Sequence, residues 1–150
     1  MRSLIKQILN EETQLNEVKL NKESLIHDLM VMDFDYYDAE IELENHIEWY
    51  NSLPKVLTLY RVIFVDDETQ IKTDEPGKHY SMDKSNLIDS HSYASGYGNK
   101  EFLLTVVAKK SMIDVQSTIS NNILYPNEKE ITLKNNGKGA KIINIEEIQF

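Results

Sequence analysis

The sequence predicts a single α+β domain in which helices come first and strands follow. Apolar residues recur at helical spacing through roughly the first 50 positions, and a β-branched, aromatic run then begins at Val56. Strands and helices do not alternate regularly after that point, which disfavours a parallel βαβ sheet. We therefore expect one domain over residues 1–150, with a helical part over 1–53 and a β-rich core over 54–150.

Three helices are predicted before residue 54. The first spans Ser3–Leu20, where apolar residues recur in a polar background without glycine or proline. The second follows Asn21 as its N-cap and ends near Asp33. The third spans Tyr36–Tyr50 and is stopped before Pro54. Its apolar face is predicted to consist of Tyr36, Leu43, Ile47 and Tyr50.

The second part of the chain is predicted to be mostly strand. Val56–Val65 is one strand, a polar connection over 66–77 follows it, and His79–Met82 is a short second strand. A short helix is expected over Ser85–Ala94, and Phe102–Ala108 is the most strand-like run in the chain.

A hairpin is predicted near the C-terminus. Ile131–Leu133 and Lys141–Ile145 both have strand character, and the Asn- and Gly-rich stretch over 135–139 between them is typical of a turn. We therefore expect these two strands to pair with each other.

The charge of the chain restricts its partners. The sequence has 16 Lys and Arg against 25 Asp and Glu, a net charge of −9, which opposes binding to phosphate backbones and anionic lipid. Residues 1–60 carry 5 basic and 12 acidic groups, or −7 of that total. There is no cysteine, and no apolar stretch approaches the roughly 20 residues of a membrane span. The N-terminus lacks signal-peptide features, so we expect a cytoplasmic protein. From its charge and the lack of an apolar span, we expect it to bind neither nucleic acid nor membrane.

Three sequence features are candidates for a functional site. Glu128 and Glu130 stand two positions apart as a strand begins, so strand alternation would direct both carboxylates to one face. Such a pair is either a solvated edge or a site that needs negative charge. Arg61 lies inside an apolar strand, where a guanidinium is either solvated or directed into a cleft. Ser81 carries no signal when taken alone. The four histidines show no metal-ligand spacing, so no metal is expected.

Taken in order along the chain, these features resemble the arginine-serine-glutamate class of mono-ADP-ribosyltransferases. That family has an aromatic-arginine pair on a first strand, a serine-led strand after a glycine-containing loop, and Glu-x-Glu, usually after Tyr-Pro, entering a later strand. Here the matching segments are Tyr60-Arg61, His79-Tyr80-Ser81 and Tyr125-Pro126-Asn127-Glu128-Lys129-Glu130. The resemblance covers residues 57–145 and implies a split antiparallel sheet with the N-terminal helices packed against it.

The resemblance also implies an activity and roles for residues. NAD is the substrate, nicotinamide leaves, and ADP-ribose passes to a protein side chain, for which arginine is one candidate. Glu130 would stabilise positive charge developing on the ribose, and Glu128 would orient or deprotonate the acceptor. Arg61 would bind the phosphates and Ser81 would hold the site together, and the implied NAD-binding set is completed by His79 and Tyr60.

A second hypothesis uses the same fold without catalysis. The family's Ser-Thr-Ser reads Ser81-Met82-Asp83 here, and the acidic first 60 residues suit a basic partner surface. The chain would then be an acidic binding or inhibitor protein of phage or toxin origin. The intact Glu-x-Glu favours the enzyme, and the changed serine motif favours the binding protein.

Overall fold

The computed structural model describes residues 20–85, 87 and 98–148, which contain three α-helices and one antiparallel five-stranded sheet. The α+β class is therefore confirmed. In chain order the elements are α1 (Lys22–Val31), α2 (Tyr36–Ser52), β1 (Val56–Val65), β2 (His79–Ser81), β3 (Lys100–Lys109), α3 (Val115–Leu124), β4 (Glu130–Thr132) and β5 (Lys141–Ile148). All but Leu20 of the helix predicted over Ser3–Leu20, and nearly all of the one predicted over Ser85–Ala94, lie outside the described residues.

Side-chain caps begin both N-terminal helices. The Asn21 side chain accepts a hydrogen bond of 3.1 Å from the Ser24 amide, as predicted for α1. Asp35 caps α2 in the same way, accepting 2.8 Å from the Asp38 amide. The predicted apolar face of α2 is wrong at Tyr36, which is 59% exposed, whereas Leu43 and Tyr50 are buried as expected.

Helix α3 was not predicted, and it interrupts the expected order of helices first and strands second. Asp114 caps the helix by accepting a hydrogen bond of 3.1 Å from the Ser117 amide. Ile119 and Ile123 are the buried apolar residues of its inner side. The helix contains Asn, Ser and Thr, whose low helix propensity hides its periodicity in the sequence. Helix α3 nevertheless lies in the same layer as the first two helices, because it packs against both α1 and α2.

The strands form one sheet in the order β4-β2-β1-β3-β5. The described strands are therefore not split into two sheets. The predicted hairpin is also wrong, because β4 pairs with β2 and β5 pairs with β3 at the other edge. The intervening loop is bonded elsewhere, since the Asn136 carbonyl accepts 2.9 Å from the Gly77 amide. The long apolar β3 offers the eight residues of β5 a longer partner than the three residues of β4.

The sheet has a helix face and a far face. The helix face carries Leu59, Leu104 and Ile131, which join the buried residues of α1, α2 and α3 in the main core. The far face carries Val62 and Leu103, which form a smaller buried cluster with Leu87. Among the residues described, no helix is long and apolar enough to cross a bilayer.

Candidate active site

Three of the predicted site residues lie side by side on the far face. Tyr60 of β1 pairs with Ser81 of β2, and Ser81 pairs with Glu130 of β4. Directly paired residues on antiparallel strands point to the same side of a sheet. This row of side chains therefore crosses three neighbouring strands, and these are the strands that carry the motifs in the sequence.

Glu130 provides a nearly buried carboxylate at the edge of the row. Its side chain is only 8% exposed, and one carboxylate oxygen lies 3.0 Å from Nδ1 of His79. The His79 side chain is 45% exposed, so the pair opens to solvent on the imidazole side. The hydroxyl of Thr132 lies 3.5 Å from the same nitrogen. A carboxylate held at a fixed position with one accessible partner is suited to stabilising positive charge on a bound ligand.

Ser81 joins the end of β2 to the approach to β4. Its hydroxyl oxygen accepts 3.0 Å from the Asp83 amide. Its hydrogen is within reach of two carbonyl oxygens, that of Asp83 at 3.1 Å and that of Glu128 at 3.2 Å. The side chain is completely buried, so Ser81 holds in place the backbone of Asp83, just after β2, and of Glu128, two residues before Glu130.

We expect Ser81→Ala to lower the free energy of unfolding by about 1–3 kcal/mol, because it leaves the part-buried Asp83 amide without its acceptor. Urea denaturation measures the loss. Ser85→Ala is the matched control, since the Ser85 hydroxyl bonds to the Asp83 carboxylate at an exposed position. Equal losses in the two variants would contradict the assigned role of Ser81.

Glu128 does not share the strand with Glu130. Strand β4 begins at Glu130, and Lys129 between the two acids has a left-handed φ of 48°. Strand alternation therefore does not apply to Glu128, and the expectation that it directs both carboxylates to one face is wrong. Glu128 instead lies half-buried in the turn that precedes β4, with its carbonyl facing Ser81.

Arg61 lies on the helix face, away from the row. Neighbouring residues of a strand point to opposite faces, so only one of Tyr60 and Arg61 can share a face with Ser81. The β1–β2 register selects Tyr60. The Arg61 guanidinium donates 2.9 Å from Nη1 to the His79 carbonyl, and its Cζ lies 5.8 Å from the centre of the Tyr80 ring. Burial lowers the Arg61 pKa, an effect that Tyr80 opposes.

Tyr80 is fully buried beneath Arg61, and its hydroxyl donates 2.8 Å to the Gly77 carbonyl. Burial raises the pKa of Tyr80 to about 12, while Arg61 acts in the opposite direction. An unfolded tyrosine has a pKa of about 10, so the folded state holds this proton more tightly than the unfolded state does. Its contribution to stability is therefore complete below about pH 10 and is lost as pH rises toward about 12.

We expect Tyr80→Phe to make the fall in the free energy of unfolding between about pH 10 and 12 less steep. Denaturant titrations at a series of alkaline pH values measure the slope. Tyr37→Phe is the control, because Tyr37 is 71% exposed. A slope that Tyr80→Phe leaves unchanged would show that Tyr80 is not the group responsible.

A cavity of about 610 Å³ adjoins the row at Tyr60. Its described lining includes Lys84 and Lys129, which sequence reasoning did not single out. Each lysine forms a long ion pair, with 3.9 Å between its Nζ and a carboxylate oxygen. Lys84 pairs with Glu146, and Lys129 pairs with Asp83. The Lys84 side chain is 47% exposed and that of Lys129 is 63% exposed, so an anionic ligand could reach both charges.

Asn122 was also missed, because the helix that carries it was not predicted. It is a buried polar residue between the apolar Ile119 and Ile123 on α3. Its amide nitrogen donates 2.8 Å to the Glu130 carbonyl and 2.7 Å to the Thr118 carbonyl. A buried asparagine next to an apolar helical stripe indicates a backbone that needs a partner, here the first residue of β4.

Comparison of the chain with protein-family models, with curated proteins and with solved structures finds no match. The functional assignment therefore depends on the residues themselves and on the family resemblance of the motifs.

Proposed function

We propose that this protein is an NAD-dependent mono-ADP-ribosyltransferase that releases nicotinamide and transfers ADP-ribose to a protein side chain. The observation that carries the proposal is the row Tyr60, Ser81 and Glu130 on adjacent strands. The family resemblance linked three segments that are far apart in the sequence. In the sheet these segments are neighbouring strands. Glu130, the residue to which the resemblance assigns the chemistry, has a nearly buried carboxylate beside an accessible imidazole.

In this proposal Glu130 stabilises the positive charge that develops on the ribose as its bond to nicotinamide breaks. Nicotinamide leaves as a neutral molecule with the bonding electron pair. The acceptor side chain supplies the pair for the new bond to the same carbon, and its proton passes to a base. We assign that base to Glu128, half-buried in the turn before β4. An arginine side chain remains one candidate acceptor.

The binding roles differ from those implied by the resemblance. Arg61 faces the helices, so we assign it to positioning His79 through the carbonyl of that residue. The phosphates of NAD are assigned instead to Lys84 and Lys129, which line the cavity beside Tyr60. Tyr60 then supplies an aromatic surface for a ring of the ligand.

The test is incubation of the purified protein with NAD labelled in the adenylate part, with and without a cell lysate. Free nicotinamide and label attached to macromolecules are both measured. Nicotinamide release with transfer of label to protein is the expected result. Release without transfer would indicate an NAD hydrolase, and absence of both NAD binding and turnover would overturn the proposal.

A second candidate function is an acidic binding protein built on the same fold. It is favoured by Arg61, to which the resemblance assigns the phosphates of NAD but which lies on the helix face, away from Ser81 and Glu130. This candidate predicts a protein that neither binds nor cleaves NAD.

A further inference from the structure

The corner between α1 and α2 exposes seven large apolar side chains. Tyr37 is 71% exposed and Val31 is 61% exposed, although both belong to well-packed helices. We call this the corner patch, and its members are Met30, Val31, Met32, Phe34, Tyr36, Tyr37 and Ile41. Small monomeric proteins rarely leave an apolar surface of this kind in water without a use for it.

The core does not require these residues. The two helices bury Leu25, Leu29, Ala39 and Leu43, which face the sheet and α3. The backbone of the corner is also well ordered by local bonds, since the Phe34 amide donates 3.2 Å to the Leu29 carbonyl. The patch residues are therefore neither in the main core nor packed against it.

The charged side chains of the chain segment that carries the corner patch are acidic. Residues 23–54 contain nine Asp and Glu and no Lys or Arg. Those acidic residues are Glu23, Asp28, Asp33, Asp35, Asp38, Glu40, Glu42, Glu44 and Glu48. The carboxyl group of Glu40 is close enough to Tyr36 to raise the pKa of that phenol, so acid and apolar groups adjoin directly.

We propose that the corner patch is a docking surface for a cationic amphipathic helix of another protein. The acidic surroundings attract its lysines and arginines and speed its association. Methionine and aromatic side chains then pack against its apolar face, as in helix-in-groove recognition. This inference does not depend on NAD chemistry, because the patch lies on α1 and α2. The row of Tyr60, Ser81 and Glu130 lies on the far face of the sheet.

Charge argues against the other occupants of the patch. Anionic lipid headgroups and a second copy of this chain would both bring negative charge to a negative surface. Residues 1–19 of the chain carry three basic and three acidic residues, so they offer no complementary charge. They also join the described structure at the opposite end of α1, where the Asn21 amide donates 2.8 Å to Gln116 of α3.

The test measures binding of a fluorescent helical peptide composed of lysine on one face and leucine on the other. Two control peptides keep one property each, a Lys/Ser peptide of equal charge and a Glu/Leu peptide of equal amphipathicity. In about 0.15 M salt we expect the Lys/Leu peptide to bind at least about tenfold more tightly than either control. Bound peptide should slow hydrogen exchange over residues 30–41.

Phe34→Ser combined with Tyr37→Ser should weaken Lys/Leu binding by at least about tenfold without changing net charge. Val56→Ser combined with Ile143→Ser is the matched control, since these exposed residues lie on the sheet, and it should leave binding unchanged. Thermal unfolding checks that both variants remain folded.

Several results would overturn the proposal. Equal binding of the Lys/Ser peptide, or binding indifferent to the Phe34 and Tyr37 substitutions, would show charge attraction alone. A wild-type dimer that the same substitutions dissociate would assign the patch to a second copy. Low reactivity of Tyr36 and Tyr37 toward a surface-labelling reagent in the free monomer would show that the chain covers its own patch.

Discussion

Replacing Glu130 with glutamine should slow nicotinamide release from NAD by at least about a hundredfold. Glutamine has nearly the same shape and still reaches His79, but it lacks the negative charge that the proposed reaction uses. Release is measured by the formation of free nicotinamide at saturating NAD. Thermal unfolding of the variant shows whether the fold is retained, which is expected because only one nearly buried carboxylate changes.

Glu128→Gln is the matched variant for this experiment. We expect it to retain nicotinamide release and to lose transfer of label to protein, since Glu128 is assigned to the acceptor and not to the ribose. A Glu130→Gln protein that remained folded and fully active would contradict the assigned site. Equal loss of release in both variants would contradict the division of roles.

Gly77→Ala is expected to lower the free energy of unfolding by about 2–4 kcal/mol. Gly77 has a φ of 126°, which disfavours any residue with a side chain. A Cβ atom there would lie 2.5 Å from Nε and Cζ of Arg61. The guanidinium would have to move, which disturbs its bond to the His79 carbonyl. Urea denaturation measures the change.

Gly139→Ala separates the two causes of that loss. Gly139 also has a positive φ, 95°, but an added Cβ would meet only the mobile methyl end of Met112, at 2.8 Å. We therefore expect the Gly77 variant to be less stable than the Gly139 variant. Equal losses would mean that Arg61 shifts at no cost and that backbone strain explains both.

Local signals in the sequence predicted the elements whose residues agree with one another. Val56–Val65 was predicted and found as a strand, because seven of its ten residues are β-branched or aromatic. The Asn21 cap was found for the same reason. Helix α3 was missed because it is stabilised by its buried residues and cap rather than by propensity. The hairpin was wrong because strand partners are chosen by contacts distant in the chain.

The candidate site shows the same limit. The order of Tyr60, Ser81 and Glu130 along the chain could be read from the motifs, but the face on which each lies depends on register. A shift of one residue would have put Arg61 beside Ser81 in place of Tyr60. Register is decided by packing of the whole sheet, and a single sequence does not reveal it.

The strand order also has a kinetic consequence. The row of Tyr60, Ser81 and Glu130 joins β1, β2 and β4, and the last of these strands reaches its place only after the chain has passed through β3 and α3. Contacts between such distant segments require closure of long loops, which slows folding. We therefore expect the site to be among the last parts of the protein to form during synthesis. A nascent chain that ends before Glu130 would hold no complete site, so any activity toward NAD would begin only after most of the protein has been made.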